Sequence, residues 1–138
     1  MCKLVRMTHT LTLSPYLHIE ELEHEFSAAY PYLGLHFFKA DPSMLKRLPA
    51  TSLLKIAGLK KEGIVEIDDL MPVWKLESIM RDQFGLNMQV VRRSGNIWLE
   101  TSMTDNWSLK QQNEHGYELS KPPADPAAAD FDLERGNT

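Results

Sequence analysis

Two stretches of the chain repeat the same order of hydrophobic patterns. Residues 11–38, LTLSPYLHIEELEHEFSAAYPYLGLHFF, and residues 65–91, VEIDDLMPVWKLESIMRDQFGLNMQVV, each begin and end with apolar residues at every second position. Between these ends, apolar residues recur at intervals of three and four. A period of two indicates a strand and a period near 3.6 indicates a helix, so each copy is predicted to be a strand–helix–strand unit.

The two copies predict a small α+β fold. Two strand–helix–strand units that share one sheet, with both helices on the same face, make a ferredoxin-like sandwich. A further hairpin strand and a short helix would follow the second unit. A helix predicted at 51–63, after a loop at 41–50, is unusual for this pattern. The alternative is therefore a β-grasp-like sheet crossed by one main helix.

Proline and glycine set the predicted limits of the two main helices. The first is predicted from His18 to Tyr30, because Pro31 cannot continue it. In the second, Pro72 suits the first turn and Gly85 the end.

A hairpin is predicted in VVRRSGNIWLET, with Ser94-Gly95 as its two-residue turn. This turn places Val91 opposite Trp98. The core face of the hairpin would then carry Met88, Val90, Ile97 and Leu99. The opposite face, called here the second face, would carry Gln89, Val91, Trp98 and Glu100, joined by His36 and Phe38 of the earlier strand.

The polar run TDNWSLKQQNEHG predicts a short helix at 107–115 that ends before Gly116. Candidate N-caps are Thr104, Asp105 and Asn106. We expect Trp107 to anchor this helix in the core. Its amides are either solvated or form a hydrogen-bonding patch for a partner, and they are Gln111, Gln112 and Asn113.

Charge and cysteine usage limit the classes of function. The formal net charge of −4 disfavours a general affinity for nucleic acid or anionic membranes. A single cysteine, Cys2, excludes an intramolecular disulfide and a zinc site made of several thiolates. No apolar run approaches the ~18 residues of a membrane span, and the N-terminus lacks the pattern of a secretion signal. We expect a cytoplasmic protein.

The sequence offers no catalytic constellation. His18 and His24 are too far apart for the HExxH zinc motif, which needs its histidines four positions apart. Neither a glycine-rich phosphate loop nor a Gly-x-Ser-x-Gly elbow occurs. We therefore predict no catalytic residues, no metal and no cofactor, and a small enzyme is the least favoured function.

The chain is predicted to hold one domain. Residues 9–120 carry the patterned segments, and residues 1–8 form a flexible N-terminus. Residues 121–138, KPPADPAAADFDLERGNT, have too few large apolar residues for a core, so we expect a disordered tail. The alternative for DFDLE is a short motif that docks on a partner.

Residues 95–116, GNIWLETSMTDNWSLKQQNEHG, resemble a signature in a family of small uncharacterised bacterial proteins, mostly from Bacteroidota. The signature runs roughly Gly-x-x-Trp-Leu-Glu-Thr-Thr-x-Thr-Asp-x-Trp-Thr-Leu-x-x-Gln-Asn-x-x-Gly. Here Ser102 and Ser108 replace two of its threonines. The likeness covers most of residues 10–120 and implies a bacterial cytoplasmic origin. The family brings no activity or cofactor to this chain.

We expect a non-catalytic protein-interaction or regulatory module that uses the second face. Aromatic and arginine side chains are enriched at interaction hot spots. The residues assigned to the surface are Phe38, Val91, Arg92, Arg93, Trp98 and Glu100. Its partner is another protein or a second copy of the chain. The alternative is single-stranded nucleic-acid binding, since open sheets with aromatic residues stack bases.

Overall fold

The computed structural model describes residues 7–40 and 45–120. The first half contains β1 (Thr8–Leu13), α1 (Ile19–Ala29), β2 (Leu33–Ala40), β3 (Leu45–Arg47) and the one-turn α2 (Leu54–Ala57). The second half contains β4 (Gly63–Asp68), α3 (Val73–Phe84), β5 (Asn87–Ser94), β6 (Ile97–Glu100) and α4 (Leu109–Ser120). A short 3₁₀ turn, Ser102–Thr104, precedes α4. The predictions for residues 1–6 and for the tail at 121–138 lie outside the described residues.

The strands form two antiparallel sheets. One sheet pairs β1 with β4, and the other has the strand order β3-β2-β5-β6 and curls into a half-barrel. The α+β class is thus confirmed. Within the described ranges no strand pairing joins the two sheets, so the single sheet of the ferredoxin-like prediction is not confirmed.

The two stretches of the predicted repeat form β1-α1-β2 and β4-α3-β5, and their matching strands pair with each other. In the small sheet Leu11 lies opposite Val65, its counterpart in the repeat. In the large sheet Leu35 lies opposite Val90. This pairing of equivalents is the arrangement expected of two similar units related by an approximate two-fold axis.

The repeated unit is longer than the sequence pattern predicted. In the first unit the starts of α1 and α2 are joined by backbone hydrogen bonds, Ile19 N–H to Ser52 O (2.8 Å) and Leu54 N–H to Leu17 O (2.8 Å). In the second unit the same bonds join α3 and α4, Val73 N–H to Trp107 O (3.0 Å) and Leu109 N–H to Met71 O (2.9 Å). Therefore β3 and α2 correspond to β6 and α4. Each unit is strand–helix–strand–strand–helix.

One hydrophobic core lies between the elements. The helices α1 and α3 bury matching stripes of apolar residues. In α1 these are Ile19, Leu22 and Phe26, and in α3 they are Val73, Leu76 and Met80. The strands contribute inward residues of both sheets, among them Leu11, Leu13, Leu35, Phe37, Ile67 and Val90. Burying each large aliphatic or aromatic side chain stabilises the fold by about 1.5–3 kcal/mol before conformational entropy is subtracted.

The predicted limits of the two long helices agree with the structure, and those of the other elements change. Both α1 and α3 lie where they were predicted, and Gly85 ends α3 with φ 73°. The helix predicted at 51–63 is only one turn, because Gly58 takes the left-handed conformation (φ 101°) and ends it. The predicted loop at 41–50 contains β3, and residues 41–44 lie outside the described ranges. No helix of the described chain is long and apolar enough to cross a membrane.

The β5–β6 hairpin turns one residue later than predicted. Its loop is Gly95-Asn96, so Trp98 lies opposite Arg93 and Val91 lies opposite Glu100. A register change of two residues keeps every side chain on its predicted face. The prediction that Ile97 and Leu99 enter the core is nevertheless wrong, because both are exposed on the edge strand.

Candidate functional site

The polar run before and within α4 is mainly scaffold. Ser108 caps α4: its N–H donates to Gln111 Oε1 (2.9 Å), and the Gln111 N–H donates to Ser108 Oγ (3.1 Å). This reciprocal pair satisfies free amides at the helix start. The predicted caps Thr104, Asp105 and Asn106 are wrong by two or more positions, because α4 begins only at Leu109.

Gln112 is fully buried and joins three segments. Its amide nitrogen donates to Thr104 O and Thr104 Oγ1, both at 2.8 Å, and its oxygen accepts from Arg92 Nη1 at 2.9 Å. The neighbouring Asn113 accepts the N–H of Tyr32 through Oδ1 at 2.7 Å. Both amides are therefore occupied by bonds within the domain. The patch predicted for a partner retains only Gln111 as an exposed member.

Gly116 lies inside α4 and not at its end, which corrects the predicted helix limit. A Cβ at this position would stand 2.8 Å from Tyr32 Cβ and 3.1 Å from Arg92 Cγ. The glycine thus lets α4 approach the large sheet closely. Trp107, the predicted core anchor, is half-buried and packs edge-to-face on His115, whereas Leu109 is fully buried and takes the anchoring place.

Trp98 lies on the second face at one end of the large sheet. A Cβ on Gly34 would be 3.2 Å from Glu23 Oε2, 3.3 Å from the indole ring and 3.3 Å from Val91 Cγ2, so the ring sits beside Gly34. Val91 is only 1% exposed. It therefore offers no contact surface of its own.

A cleft of about 390 Å³ opens between Trp98 and α1. It is lined by Glu20, Glu23, His24, Ser27, His36, Arg47 and Trp98. Burial lowers the pKa of His36, and the adjacent Arg47 lowers it further, while Glu100 acts in the opposite direction. A second cleft, of about 310 Å³, lies beside α3 and includes Phe38, Leu45, Glu77, Gln89 and Glu100.

Glu23 and Glu77 hold equivalent places in the two units. The N–H of Leu35 donates to Glu23 Oε2 at 3.2 Å, and the N–H of Val90 donates to Glu77 Oε2 at 3.0 Å. Each carboxylate satisfies a strand amide where the neighbouring edge strand has ended. Burial raises the pKa of Glu77, and the hydrogen bond from Val90 opposes that rise. These acids have a structural role, which the matching sequence positions could have suggested.

The edge strand β6 exposes three consecutive large apolar residues. Ile97, Trp98 and Leu99 are 57%, 43% and 37% exposed. The strand pairs only with β5, so its outer side is an open sheet edge within the described residues. The sequence pattern missed this feature, because apolar residues in a hairpin predict a strand without showing whether another element covers it.

The predicted site residues divide into two groups. Phe38, Trp98 and Glu100 belong to the second face, and Arg93 lies opposite Trp98 with its Nε bonded to Gly95 O at 2.8 Å. Arg92 points to the other side of the sheet, towards α4.

The described residues contain no group of three or more metal-binding side chains. Comparison with known proteins adds no assignment. No protein-family model, curated protein or solved structure is significantly similar to this chain, and the family resemblance of residues 95–116 stays a prediction.

Proposed function

We propose that this protein is a non-catalytic interaction module whose contact surface is β6 together with the Trp98 end of the second face. The observation that carries the proposal is the open edge strand with Ile97, Trp98 and Leu99 exposed in succession. An uncovered apolar strand edge is a ready template for another strand, and folded proteins usually protect such edges. Adding a strand to a sheet edge is a common mode of protein recognition.

The opposite edge of the same sheet supports this reading by contrast. That edge is β3, whose sequence Leu45-Lys46-Arg47 is followed by Pro49 after one residue. Charged residues and proline are the usual means of keeping a strand edge from pairing. β6 carries a charge only at Glu100. The protein thus protects one edge and leaves the other apolar.

Trp98 suits the role of an anchor because its ring is already held. The backbone at Gly34 lies beside the indole, so binding would not need to order a freely rotating side chain. Preorganised aromatic side chains lose little conformational entropy on association. Glu100 and Arg93 flank the tryptophan as polar neighbours, as in interfaces with an apolar centre and a polar rim.

Single-stranded nucleic-acid binding is the second candidate. It is favoured by the β2–β3 hairpin, where Lys39 lies opposite Lys46 and Phe38 opposite Arg47. It is opposed by Glu20 and the other acids that line the Trp98 cleft, and by the net charge of −4. A labelled oligonucleotide titration at low salt separates the two functions: saturable binding that weakens with salt would favour nucleic acid.

The proposed function is tested by comparing two exposed tryptophans. Trp98→Ala should abolish self-association and capture of a protein partner from the native host. Trp74→Ala is the matched control, since Trp74 is 47% exposed but lies at the start of α3. It should leave both kinds of binding intact. Equal binding by wild type and Trp98→Ala would refute the proposal, and circular dichroism melts of both variants establish that they are folded.

We further propose that the module works in the bacterial cytoplasm. The support is the presence of only one cysteine in 138 residues, together with the resemblance of residues 95–116 to a bacterial family. A reporter fusion in the host would test this localisation.

A further inference from the structure

The peptide groups of β5 alternate between its two neighbours. The N–H of Val90 donates to Glu77, and its carbonyl accepts from Thr101 Oγ1 at 2.9 Å, so both groups point to the β6 side. The N–H of Arg93 donates to Tyr32 O at 2.9 Å and so points to the β2 side. In this part of β5 the backbone N–H and C=O groups of even-numbered residues therefore point towards β6, and those of odd-numbered residues point towards β2.

This alternation fixes which groups of β6 point outward. Ile97 and Leu99 lie opposite the even-numbered partners Ser94 and Arg92, so their peptide groups are used by β5. The N–H and C=O of Trp98 and Glu100 then project from the outer edge. Among the described residues no backbone hydrogen bond joins this edge to another element. The open edge can thus accept a further strand centred on Trp98.

The polarity of the residues along β6 is symmetric about Trp98: an apolar residue lies on each side of it, and a polar or charged residue lies beyond each of these. An antiparallel copy of the strand, related by a two-fold axis at Trp98, sets Trp98 against Trp98 and Ile97 against Leu99. It also sets Asn96 against Glu100. Apolar residues then meet apolar residues on both faces, and no like charges lie directly opposite each other. The Trp98 pair forms in addition the hydrogen bonds that the outward peptide groups require.

The neighbouring register towards Glu100 that uses the outward groups is disfavoured. An axis at Leu99 would set Trp98 against Glu100 and Ile97 against Thr101. Thr101 is buried, lies beyond the end of β6, and is bonded to Val90 O through its side chain. This register thus sets an apolar side chain against a charged one and places Ile97 opposite a buried residue.

We propose that β6 pairs with β6 of a second copy of this chain, antiparallel and about a two-fold axis at Trp98. The two four-stranded sheets then form one continuous eight-stranded sheet in a closed, symmetric dimer. This inference rests on the proposed function, because it names the partner for the same surface. Pairing of two strands of four residues buries a small area, and interfaces below about 1,200 Å² are weak and transient.

The dimer is tested by sedimentation of the full chain in reducing buffer, so that Cys2 cannot cross-link it. Concentrations run from about 1 µM to about 1 mM, the range of dissociation constants of weak complexes. Wild type should shift from monomer to dimer, whereas Trp98→Lys, which brings two ammonium groups together at the axis, should stay monomeric. Trp74→Lys should dimerise as wild type does. Monomeric wild type throughout, or a Trp98→Lys variant that dimerises normally, overturns the inference.

The register is tested by a charge exchange at the paired positions. Asn96→Asp places a carboxylate opposite Glu100 of the second copy and should weaken the dimer. Adding Glu100→Lys makes the two positions complementary and should restore it, with the restoration reduced by salt. Failure of the second change to restore association overturns the register.

A last comparison separates this inference from the proposed function. Monomeric wild type that binds a different protein through Trp98 would remove the second copy and leave the interaction function standing. If neither self-association nor binding of another protein depends on Trp98, both the dimer inference and the proposed interaction function are removed. Dimerisation that appears only when the chain is cut after Ser120 would mean that residues 121–138, not a second copy, occupy the edge.

Discussion

The two repeated units share a framework and differ at their outer halves. In both, a long helix packs beside a central strand, a glutamate satisfies the same strand amide, and matching backbone hydrogen bonds join the two helix starts. The first unit then ends in β3, whose charged residues disfavour pairing with another strand, and in α2, which is one turn long. The second ends in the three-turn α4 and in the apolar β6. The shared parts maintain the fold, and the divergent parts include the exposed apolar strand of the proposed contact surface.

The largest effect is expected where the shared framework is truncated. Leu54 and Leu109 are both fully buried and occupy equivalent positions at the starts of α2 and α4. Replacing either by alanine should lower the free energy of unfolding by about 3 kcal/mol, as for other buried leucines. Urea denaturation measures both. A much smaller cost for Leu54→Ala would show that α2 is accessory and would break the equivalence of the units.

A smaller loss is expected at Gly116, which exists only in the longer second unit. Alanine gains about 1 kcal/mol of helix propensity over glycine. The new Cβ, however, would lie 2.8 Å from Tyr32 Cβ and 3.1 Å from the Tyr32 carbonyl oxygen. Backbone must shift to accommodate it, and overpacking of this kind costs about 1–3 kcal/mol.

We therefore expect Gly116→Ala to lower the melting temperature. The control is Gly95→Ala at the β5–β6 turn, where a Cβ meets nothing within 4 Å and only the positive φ of 62° is strained. Similar melting temperatures for Gly116→Ala and wild type would show that α4 is less closely packed than the structure has it.

The third prediction compares two tryptophans of the second unit. Trp98→Ala should change the unfolding free energy by less than about 1 kcal/mol, because exposed substitutions have small effects. Trp107→Ala should cost more, since Trp107 is half-buried and packs on His115. Thermal melts of both variants rank them. The reverse order would mean that Trp98 belongs to the core and that β6 is not a free surface.

The smallest effect concerns the equivalent glutamates and is measured as a pH dependence. Burial raises the folded-state pKa of Glu77 above its unfolded value. The folded state then binds more protons, so this carboxyl lowers stability as pH rises from about 4.5 through the folded pKa. Glu77→Gln removes this titration while keeping an oxygen for the Val90 N–H. The stability of the variant relative to wild type should increase with pH across that window.

His36 acts in the opposite direction. Its pKa is lowered by burial, so its contribution to stability is lost as pH falls from the unfolded pKa near 6.5 through the folded pKa. Wild type and the Glu77→Gln variant both contain His36, so its contribution to the pH dependence cancels when the two proteins are compared. Denaturation midpoints at several pH values give the slope. A flat difference between the two proteins would contradict the prediction.

The parts of the fold that depend on local periodicity could be predicted from the order of residues alone. The alternation in residues 11–38 and 65–91 predicted both strand–helix–strand units, because a strand and a helix repeat with different periods. Gly85 and Pro31 marked true helix ends, since their backbone restrictions act within one turn. The alternation also placed Trp98 on the correct face, although the hairpin register differed by two residues.

Strand pairing, side-chain hydrogen bonds and burial depend on contacts between distant segments, which only the folded structure shows. The pattern could not show that matching strands pair into two sheets, because pairing depends on residues far apart in sequence. Nor could it show that Gln112 and Asn113 bond to Arg92 and Tyr32, or that Gly116 continues a helix so that it can pack closely on the sheet. Ile97 and Leu99 have the pattern of core residues, yet they remain exposed because β6 is the last strand of its sheet. Burial is set by the neighbours that cover a residue, and a single sequence records periodicity but not coverage.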